Sequence, residues 1–101
     1  MVKLIALYRK PGDTEAFDRH FFSAHVPLAR AYPGLRRLEI IRVAGAPIGE
    51  TSYHLLEELT FDSRDAMDAA LASKEGKAVT RDLMTFAAEW ITVFHGDVEP
   101  E

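Results

Sequence analysis

Apolar and polar residues alternate in four stretches of this chain, and a period of two is typical of β-strands. The pattern predicts strands at residues 2–10, 35–44, 51–61 and 90–98. One face of the first strand consists of Val2, Leu4, Ala6 and Tyr8. One face of the third consists of Tyr53, Leu55, Glu57, Leu59 and Phe61. The first and last stretches carry apolar residues at both odd and even positions. We therefore expect these two strands to be covered on both of their faces.

Between the first two strands the apolar residues recur with the spacing of an amphipathic helix. The positions that share this face are Phe17, Phe21, Ala24 or His25, and Leu28. Asp13 or Thr14 can cap the helix, which we expect to end near His25. Pro27 removes a backbone donor and crowds the preceding turn. We therefore expect a kink or a tightened turn beside His25, followed by an irregular segment as far as Gly34.

A second helical region follows the third strand, with Asp62 as the expected cap. Its first apolar stripe consists of Ala66, Met67, Ala70 and Leu71. Residues 73–76 interrupt this stripe, and a further helix is predicted at about residues 77–89. The apolar positions of that helix are Val79, Leu83, Phe86 and Ala87.

The predicted order of elements is β-α-β-β-α-β, which is the ferredoxin-like arrangement of a single α+β domain spanning residues 1–101. Its antiparallel sheet carries helices on one face only. The opposite face needs a partner, and the simplest partner is a second copy of the chain. We therefore expect a homodimer packed through its sheet faces, with the two sheets curling into a barrel.

Composition argues against several classes of protein. The formal net charge is −4 and no basic cluster extends beyond Arg36 and Arg37, so nucleic acid is not an expected partner. The absence of cysteine excludes disulfides and thiolate chemistry and suits a cytoplasmic protein. No apolar run has the length of a membrane span, and the first strand is too short for a signal peptide, so no membrane is expected.

No known cofactor motif occurs in the chain. It has no glycine-rich phosphate loop and no serine elbow, and its four histidines lack the spacing of metal ligands. We therefore expect no nucleotide cofactor and no metal. Haem remains a separate hypothesis, because a histidine can ligate iron.

His25 is the first candidate for catalysis, because it places a titratable ring on the apolar face of the first helix. It can act there as a general acid or base, or as a donor to a carbonyl, in a cleft between helix and sheet. The alternative is a core histidine bonded to a carbonyl that Pro27 leaves free. His20 lies five residues earlier, so we expect it to point in a different direction and to be solvated or to cap the helix. His54 and His95 lie on strands, where we expect structural roles near a dimer interface.

Glu57 lies within an apolar strand pattern, as does Glu39, and a buried carboxylate must be paired or protonated. Each of these two carboxylates is either an acid–base partner of His25 or, as we favour, part of a salt bridge with Arg36, Arg37 or Arg42. Aromatic residues on the strands can line a pocket for a flat apolar ligand or simply belong to the core. The residues we assign to substrate binding are Tyr8, Phe21, Leu28, Tyr53, Glu57 and Trp90.

Two runs of the sequence resemble the EthD family, named for ethyl tert-butyl ether degradation. The first is HFFSAHVPLARAYPGLRRLEI, with His25, Pro27 and Leu28 as an H-x-P-L step and Pro33-Gly34-Leu35 after it. The second is LTFDSRDAMDAALASKEGKAVTRDL, which resembles the family's second helical region. The resemblance implies a dimeric α+β barrel, in which the histidine of H-x-P-L lines the cavity.

The resemblance implies architecture more firmly than chemistry. One hypothesis is a cofactor-free enzyme, an oxidoreductase or an isomerase or cyclase, that acts on a small apolar or aromatic carbonyl compound through His25. The alternative is a binding or accessory protein of an oxidative degradation system, without catalysis of its own.

Overall fold

Four strands form one antiparallel sheet in which β1 and β3 are central. The computed structural model describes residues 1–100. The strands are β1 (Val2–Arg9), β2 (Arg37–Arg42), β3 (Tyr53–Phe61) and β4 (Ile91–Asp97). They follow the order β2-β3-β1-β4, and each neighbouring pair is antiparallel. The predicted ferredoxin-like arrangement is therefore confirmed.

The helical segments pack against one face of this sheet. They are α1 (Thr14–His20), a π-helical turn (Phe21–His25), α2 (Val26–Arg30), α3 (Arg64–Ala72) and α4 (Lys74–Phe86). Asp13 caps α1 as expected, since its side chain accepts from the N–H of Ala16 at 3.0 Å. The prediction that Asp62 caps this helix is wrong, because the side chain of Ser63 accepts from the N–H of Ala66 and caps α3 instead. No helix within residues 1–100 is both long and apolar enough to cross a membrane.

The first helix does not end at His25 as predicted. It continues through Pro27 to Arg30, because the turn before the proline widens into a π-helical turn. There the N–H of Val26 donates to the carbonyl of Phe21, five residues earlier instead of four. Pro27 has no N–H to donate and its ring crowds the preceding turn, so the wider turn accommodates the proline without ending the helix.

The second helical region is interrupted at a single residue, Ser73, whereas we predicted an interruption over residues 73–76. Ser73 ends α3 and also begins α4. Its hydroxyl donates to the carbonyl of Ala70 at 2.5 Å and accepts from the N–H of Gly76 at 3.0 Å. One serine therefore satisfies a backbone group of each helix.

A β-bulge changes the expected faces at the start of β3. Tyr8 pairs with Leu55 and Arg9 pairs with Tyr53, so His54 has no partner on β1. A bulge turns the strand at this point. The side chain of His54 reaches Asp18 of α1 at 2.7 Å, whereas Tyr53 is 40% exposed. The prediction that Tyr53 shares the buried face with Leu55 is therefore wrong.

The face of the sheet away from the helices is partly apolar, and no element formed by residues 1–100 covers it. Ile5 lies opposite Phe94, and Leu56 lies opposite both Leu7 and Ile41. Phe94 and Ile41 are each 45% exposed. β4 was expected to be covered on both faces, but in the single chain most of its residues are exposed.

Candidate functional site

A cavity of about 210 Å³ lies between the helices and the sheet. Its walls are mostly apolar side chains of β1, β3, α4 and β4. His25, Tyr32, Glu57 and Thr80 are the polar residues of its lining. Met84 and Val93 also line it and are 57% and 47% exposed, so the cavity opens to solvent beside these two residues.

The π-helical turn places the imidazole of His25 at the inner end of this cavity. His25 is fully buried, and its ring lies 5.5 Å from the ring of Phe21 and 5.4 Å from that of Phe86, measured between centroids. In an α-helix, residues five apart point about 140° away from each other, at roughly 100° per residue. The extra residue of the π-helical turn instead brings His20 and His25 to the same side of the helix.

Both ring nitrogens of His25 contact carboxylates. Nδ1 lies 3.2 Å from Oδ2 of Asp82 on α4, and Nε2 lies 3.3 Å from Oε1 of Glu57 on β3. Each contact needs one proton between its nitrogen and its oxygen. His25 is therefore either an imidazolium donating to two carboxylates, or a neutral ring that donates to one and accepts from the acid form of the other.

Asp82 also contacts His20, whose Nε2 lies 2.8 Å from Oδ1 of Asp82. One carboxylate thus joins the two histidines of the same helix. The ring of Phe86 packs against both, with its centroid 4.4 Å from that of His20. The prediction that His20 points away from His25 is therefore wrong, because it assumed an unbroken 3.6-residue period.

Glu57 is buried in the middle of β3, opposite Ala6 and Ile40. Its Oε1 accepts from the hydroxyl of Tyr8 at 3.4 Å, in addition to its contact with His25. Its Oε2 is buried and meets no hydrogen-bond partner within residues 1–100. A carboxylate oxygen facing an apolar cavity without a donor is the most unusual polar group of the site.

The arginines that we expected to neutralise Glu57 pair with other residues. Arg36 binds Asp62, Arg37 binds Glu39, and Arg42 binds Asp18. The favoured salt bridge between Glu57 and an arginine is therefore wrong. Arg42 does reach the helical layer, but its guanidinium lies 3.1 Å from Asp18 and over the ring of Phe22 instead of binding Glu57.

Two tyrosines next to Glu57 keep their protons over a wide pH range. Burial, together with the nearby charge of Glu57, raises the pKa of Tyr32 to about 12. Burial also raises the pKa of Tyr8, helped by the charge of Glu57 and the hydrogen bond to it. Both phenols are therefore neutral donors near neutral pH.

Comparison with known proteins places this chain in a family. The sequence profile of the EthD domain matches residues 9–89. The chain belongs to the EthD family. A crystal structure of an EthD family protein from Bacillus halodurans is 42% identical in sequence, with a TM-score of 0.94. The alignment covers 98% of this chain and 99% of that one.

Two other proteins are similar to this EthD chain. An uncharacterised 11.0 kDa protein from the thcB–thcC intergenic region of Rhodococcus erythropolis is 31% identical over 98% of this chain and 96% of its own. A dimeric ferredoxin-like protein of unknown function from Thermobifida fusca is 18% identical with a TM-score of 0.71. That alignment covers 96% of this chain and 90% of the other, and it supports the fold alone.

The structure brings three of the predicted site residues of this EthD protein into contact. His25, Glu57 and Tyr8 form one hydrogen-bonded group, with His25 and Glu57 in the cavity wall. Phe21 packs behind the imidazole and is buried, but it does not line the cavity. Leu28 is half-buried against the core and also lies outside the lining.

The two remaining predicted residues lie elsewhere. Tyr53 is exposed at the bulge of β3, outside the cavity lining. Trp90 lines a separate surface groove together with Pro11, Phe17, His20 and Phe86. A contact between either residue and a ligand in the cavity would therefore need a different ligand position.

Sequence reasoning missed Asp82 and Tyr32. Asp82 directly precedes Leu83 on the apolar stripe of α4, and an acidic residue beside such a stripe was the only available signal. Tyr32 follows α2 in the segment that was expected to be irregular, yet it is buried and packs edge-on against Phe61. Neither position follows from a local pattern, because both depend on contacts with distant segments.

The site is not arranged as a metal centre. No group of three or more His, Asp or Glu side chains in the described part of the chain could hold a metal ion. Since both nitrogens of His25 are engaged by carboxylates, iron ligation by this ring would require breaking one of those contacts. The geometry therefore gives the haem hypothesis no support.

Proposed function

We propose that the protein binds a small apolar or aromatic compound carrying a carbonyl or hydroxyl group, and moves a proton to or from it, in the cavity between helices and sheet. The observation that carries this proposal is the unpartnered Oε2 of Glu57. Leaving a buried acceptor unsatisfied costs about 1–3 kcal/mol. A ligand that donates a hydrogen bond to Oε2 would remove that cost.

The dimensions of the cavity support a ligand of modest size. An apolar cavity of roughly 150 Å³ can hold benzene, and this one measures about 210 Å³. A single ring with one or two small substituents would therefore fit. Its apolar walls favour a ring or a short branched chain over a sugar or a charged metabolite.

Glu57, and not His25, is the group proposed to contact the ligand. Both nitrogens of His25 are already engaged, whereas Glu57 Oε2 is free to accept a proton. His25 would hold Glu57 in place through Oε1 and adjust its charge by sharing the proton between them. Tyr32, in the same wall, would donate its hydroxyl to a developing oxyanion.

The reaction supported best is proton transfer next to a carbonyl group. Glu57 would remove a proton from the carbon beside the carbonyl, and the electron pair of the broken C–H bond would pass to the carbonyl oxygen. The resulting enolate or enol then takes a proton back. An isomerisation or a ring closure of the kind expected from the sequence begins with this step.

The binding part of the proposal is tested with phenol and toluene, which differ by the hydroxyl group. A hydrogen bond to a charged acceptor contributes about 1.5–3 kcal/mol, so phenol should bind roughly 10- to 100-fold more tightly than toluene. Amide chemical shifts followed during titration give both dissociation constants. Glu57→Gln should abolish the preference, and the surface variant Glu39→Gln is the matched control. Equal binding of the two compounds by the unaltered protein would contradict the role of Oε2.

The proton-transfer part is tested with cyclohexanone in deuterated water. Deuterium should enter beside the carbonyl faster than in buffer alone, by about 10²–10⁴-fold for a positioned acid–base group. Glu57→Gln should remove the acceleration, while Glu39→Gln should retain it. Binding without exchange would instead support the alternative, an accessory protein that holds a ligand for a degradation system.

We further propose that two copies of the chain associate through the bare faces of their sheets. Phe94, Ile41 and the residues paired with them form an exposed apolar surface. Similar folds from Thermobifida fusca and Bacteroides fragilis are described as dimeric. The cavity lies on the opposite side of the sheet, so this association leaves its opening accessible.

A further inference from the structure

We propose that His20 and Asp82 form a proton relay between bulk water and the buried pair His25–Glu57, separate from the route by which the ligand enters. This inference rests on the proposed function for its purpose, because a buried base must exchange its proton with solvent between turnovers. The contacts that form the relay are present in the structure without any ligand.

The relay is a single file of four side chains. Nε2 of His20 lies 2.8 Å from Oδ1 of Asp82, and Oδ2 of Asp82 lies 3.2 Å from Nδ1 of His25. Nε2 of His25 lies 3.3 Å from Oε1 of Glu57. Asp82 and His25, the two inner members, thus each use a different atom for each neighbour, as a chain that passes protons requires.

Exposure decreases along this file from solvent to cavity. The side chain of His20 is 37% exposed and that of Asp82 is 14% exposed, whereas those of His25 and Glu57 are 1% and 2% exposed. His20 is therefore the only member of the file with substantial access to water. Its imidazole can accept a proton at one ring nitrogen and release one from the other.

The two ends of the file lie at different places: His20 lines a surface groove, whereas Glu57 lines the cavity. His20 lines the groove together with Pro11, Phe17, Phe86 and Trp90, and Asp13 lines the same groove. The cavity beside Glu57 opens near Met84 and Val93. The groove and the cavity share no lining residue. A ligand seated in the cavity would block the direct path from water to Glu57, but it would leave His20 open.

Proton balance along the file is simple. A proton accepted by Glu57 passes to Nε2 of His25, another leaves Nδ1 for Asp82, and Asp82 passes one to His20, which releases it to water. The terminal torsions of Asp and Glu are broad, so each protonated carboxyl can present either oxygen. Every group gains one proton and gives one up, so each charge returns to its starting value, while each imidazole now carries its proton on the other ring nitrogen. A proton that returns from water to Glu57 along the same side chains, when the ligand takes its proton back, restores the first tautomers.

The test is the rate at which the ring N–H of His25 exchanges with water, measured by nitrogen-15 magnetic resonance on the full chain without ligand. Glutamine at position 20 can still donate to Asp82 but cannot carry a proton. His20→Gln should therefore slow exchange by about 10²-fold, the lower end for a positioned acid–base group. The exposed histidine variant His95→Gln is the matched control and should leave the rate unchanged.

Chemical rescue separates a relay from a structural role. His20→Ala opens space beside Asp82 at the groove, so added imidazole should restore fast exchange in this variant and not in His20→Gln. An unchanged rate in His20→Gln, or equal slowing in His95→Gln, would overturn the relay. Because these measurements need no ligand, they can succeed even if cyclohexanone is not turned over, and the relay and the proposed function fail independently.

An experiment with cyclohexanone distinguishes a relay role of His20 from a structural one. His20→Gln should slow deuterium incorporation while leaving the dissociation constant of phenol unchanged, since His20 does not touch the cavity. A parallel loss of phenol binding would show that His20 only supports the shape of the site, and it would overturn the relay.

Discussion

At the scale of single residues, this protein keeps ionisable groups buried by pairing them with one another. His25 lies between Glu57 and Asp82, and Tyr8 donates to Glu57. No arginine or lysine is part of this group. Removing one member would leave the others buried without a partner, which is usually costlier than losing the interaction itself.

The raised pKa of Tyr32 makes the fold less stable at alkaline pH. Its pKa is about 12 in the folded chain, against about 10 when unfolded. Below about pH 10 both states keep the proton, whereas between about pH 10 and 12 only the unfolded chain releases it. The urea midpoint should therefore fall as the pH rises through this window. The urea midpoint of the Tyr32→Phe variant should fall less steeply over this window. The midpoint of the Tyr53→Phe variant, which changes an exposed tyrosine, should fall as it does in the unaltered protein.

At the scale of elements, two departures from regular helix geometry determine the site. The π-helical turn brings His20 and His25 to one side, and the junction at Ser73 brings α3 and α4 close together. π-Helical turns are rare and are often found at functional sites. In this chain the turn allows a single carboxylate, Asp82, to contact both histidines.

The close approach of the two helices at the α3–α4 junction predicts whether replacing Gly76 raises or lowers the free energy of unfolding. In a helix, Gly→Ala normally stabilises by up to about 1 kcal/mol. A Cβ on Gly76 would collide with the carbonyl of Ala70 and lie 2.7 Å from that of Leu71. Gly76→Ala should therefore destabilise the fold, by about 1–3 kcal/mol as in other overpacked sites. Urea unfolding measures the difference.

Gly12→Ala provides the matched control for this substitution. A Cβ at Gly12 meets nothing within 4 Å, so its effect on the free energy of unfolding should stay within about 0.5 kcal/mol, as for most surface changes. An increase in stability on Gly76→Ala would mean that the two helices can separate at little cost.

At the scale of the whole molecule, the sheet has two faces of different character. One face is buried under the helices and holds the cavity, whereas the other exposes Ile41 and Phe94. A domain of this size buries a limited fraction of its surface, and association compensates for that limit. We therefore expect the proposed dimer to contribute to the stability of the fold, whereas the residues that line the cavity belong to a single chain.

The dimer predicts a mass of twice 11.3 kDa by light scattering at micromolar concentration. Phe94→Glu would place a charge within the proposed interface. We expect it to weaken association by about 2 kcal/mol or more, roughly a thirtyfold rise in the dissociation constant. Ile48→Glu, at a loop residue that is 94% exposed, is the control and should remain dimeric. A monomeric unaltered protein would contradict the proposal.

Local patterns were enough to predict the order of elements and much of the core. Alternation along β1 correctly placed Leu4, Ala6 and Tyr8 on one face, because that period follows from strand geometry alone. The same reasoning correctly identified His25 and Glu57 as unusual, since each is a polar residue within an apolar stripe. The family followed from an ordered set of motifs that spans nearly the whole chain.

Tertiary structure alone decided which of these residues meet. The bulge that exposes Tyr53 and the π-helical turn that turns His20 towards His25 each add one residue to a regular period, and no period in the sequence records such an addition. Asp82 reaches both histidines from a helix more than fifty residues further along the chain. Sequence by itself thus determined the elements and their buried faces, because those depend on neighbouring residues. The hydrogen-bonded site depended on packing between distant segments, and only the folded chain determined it.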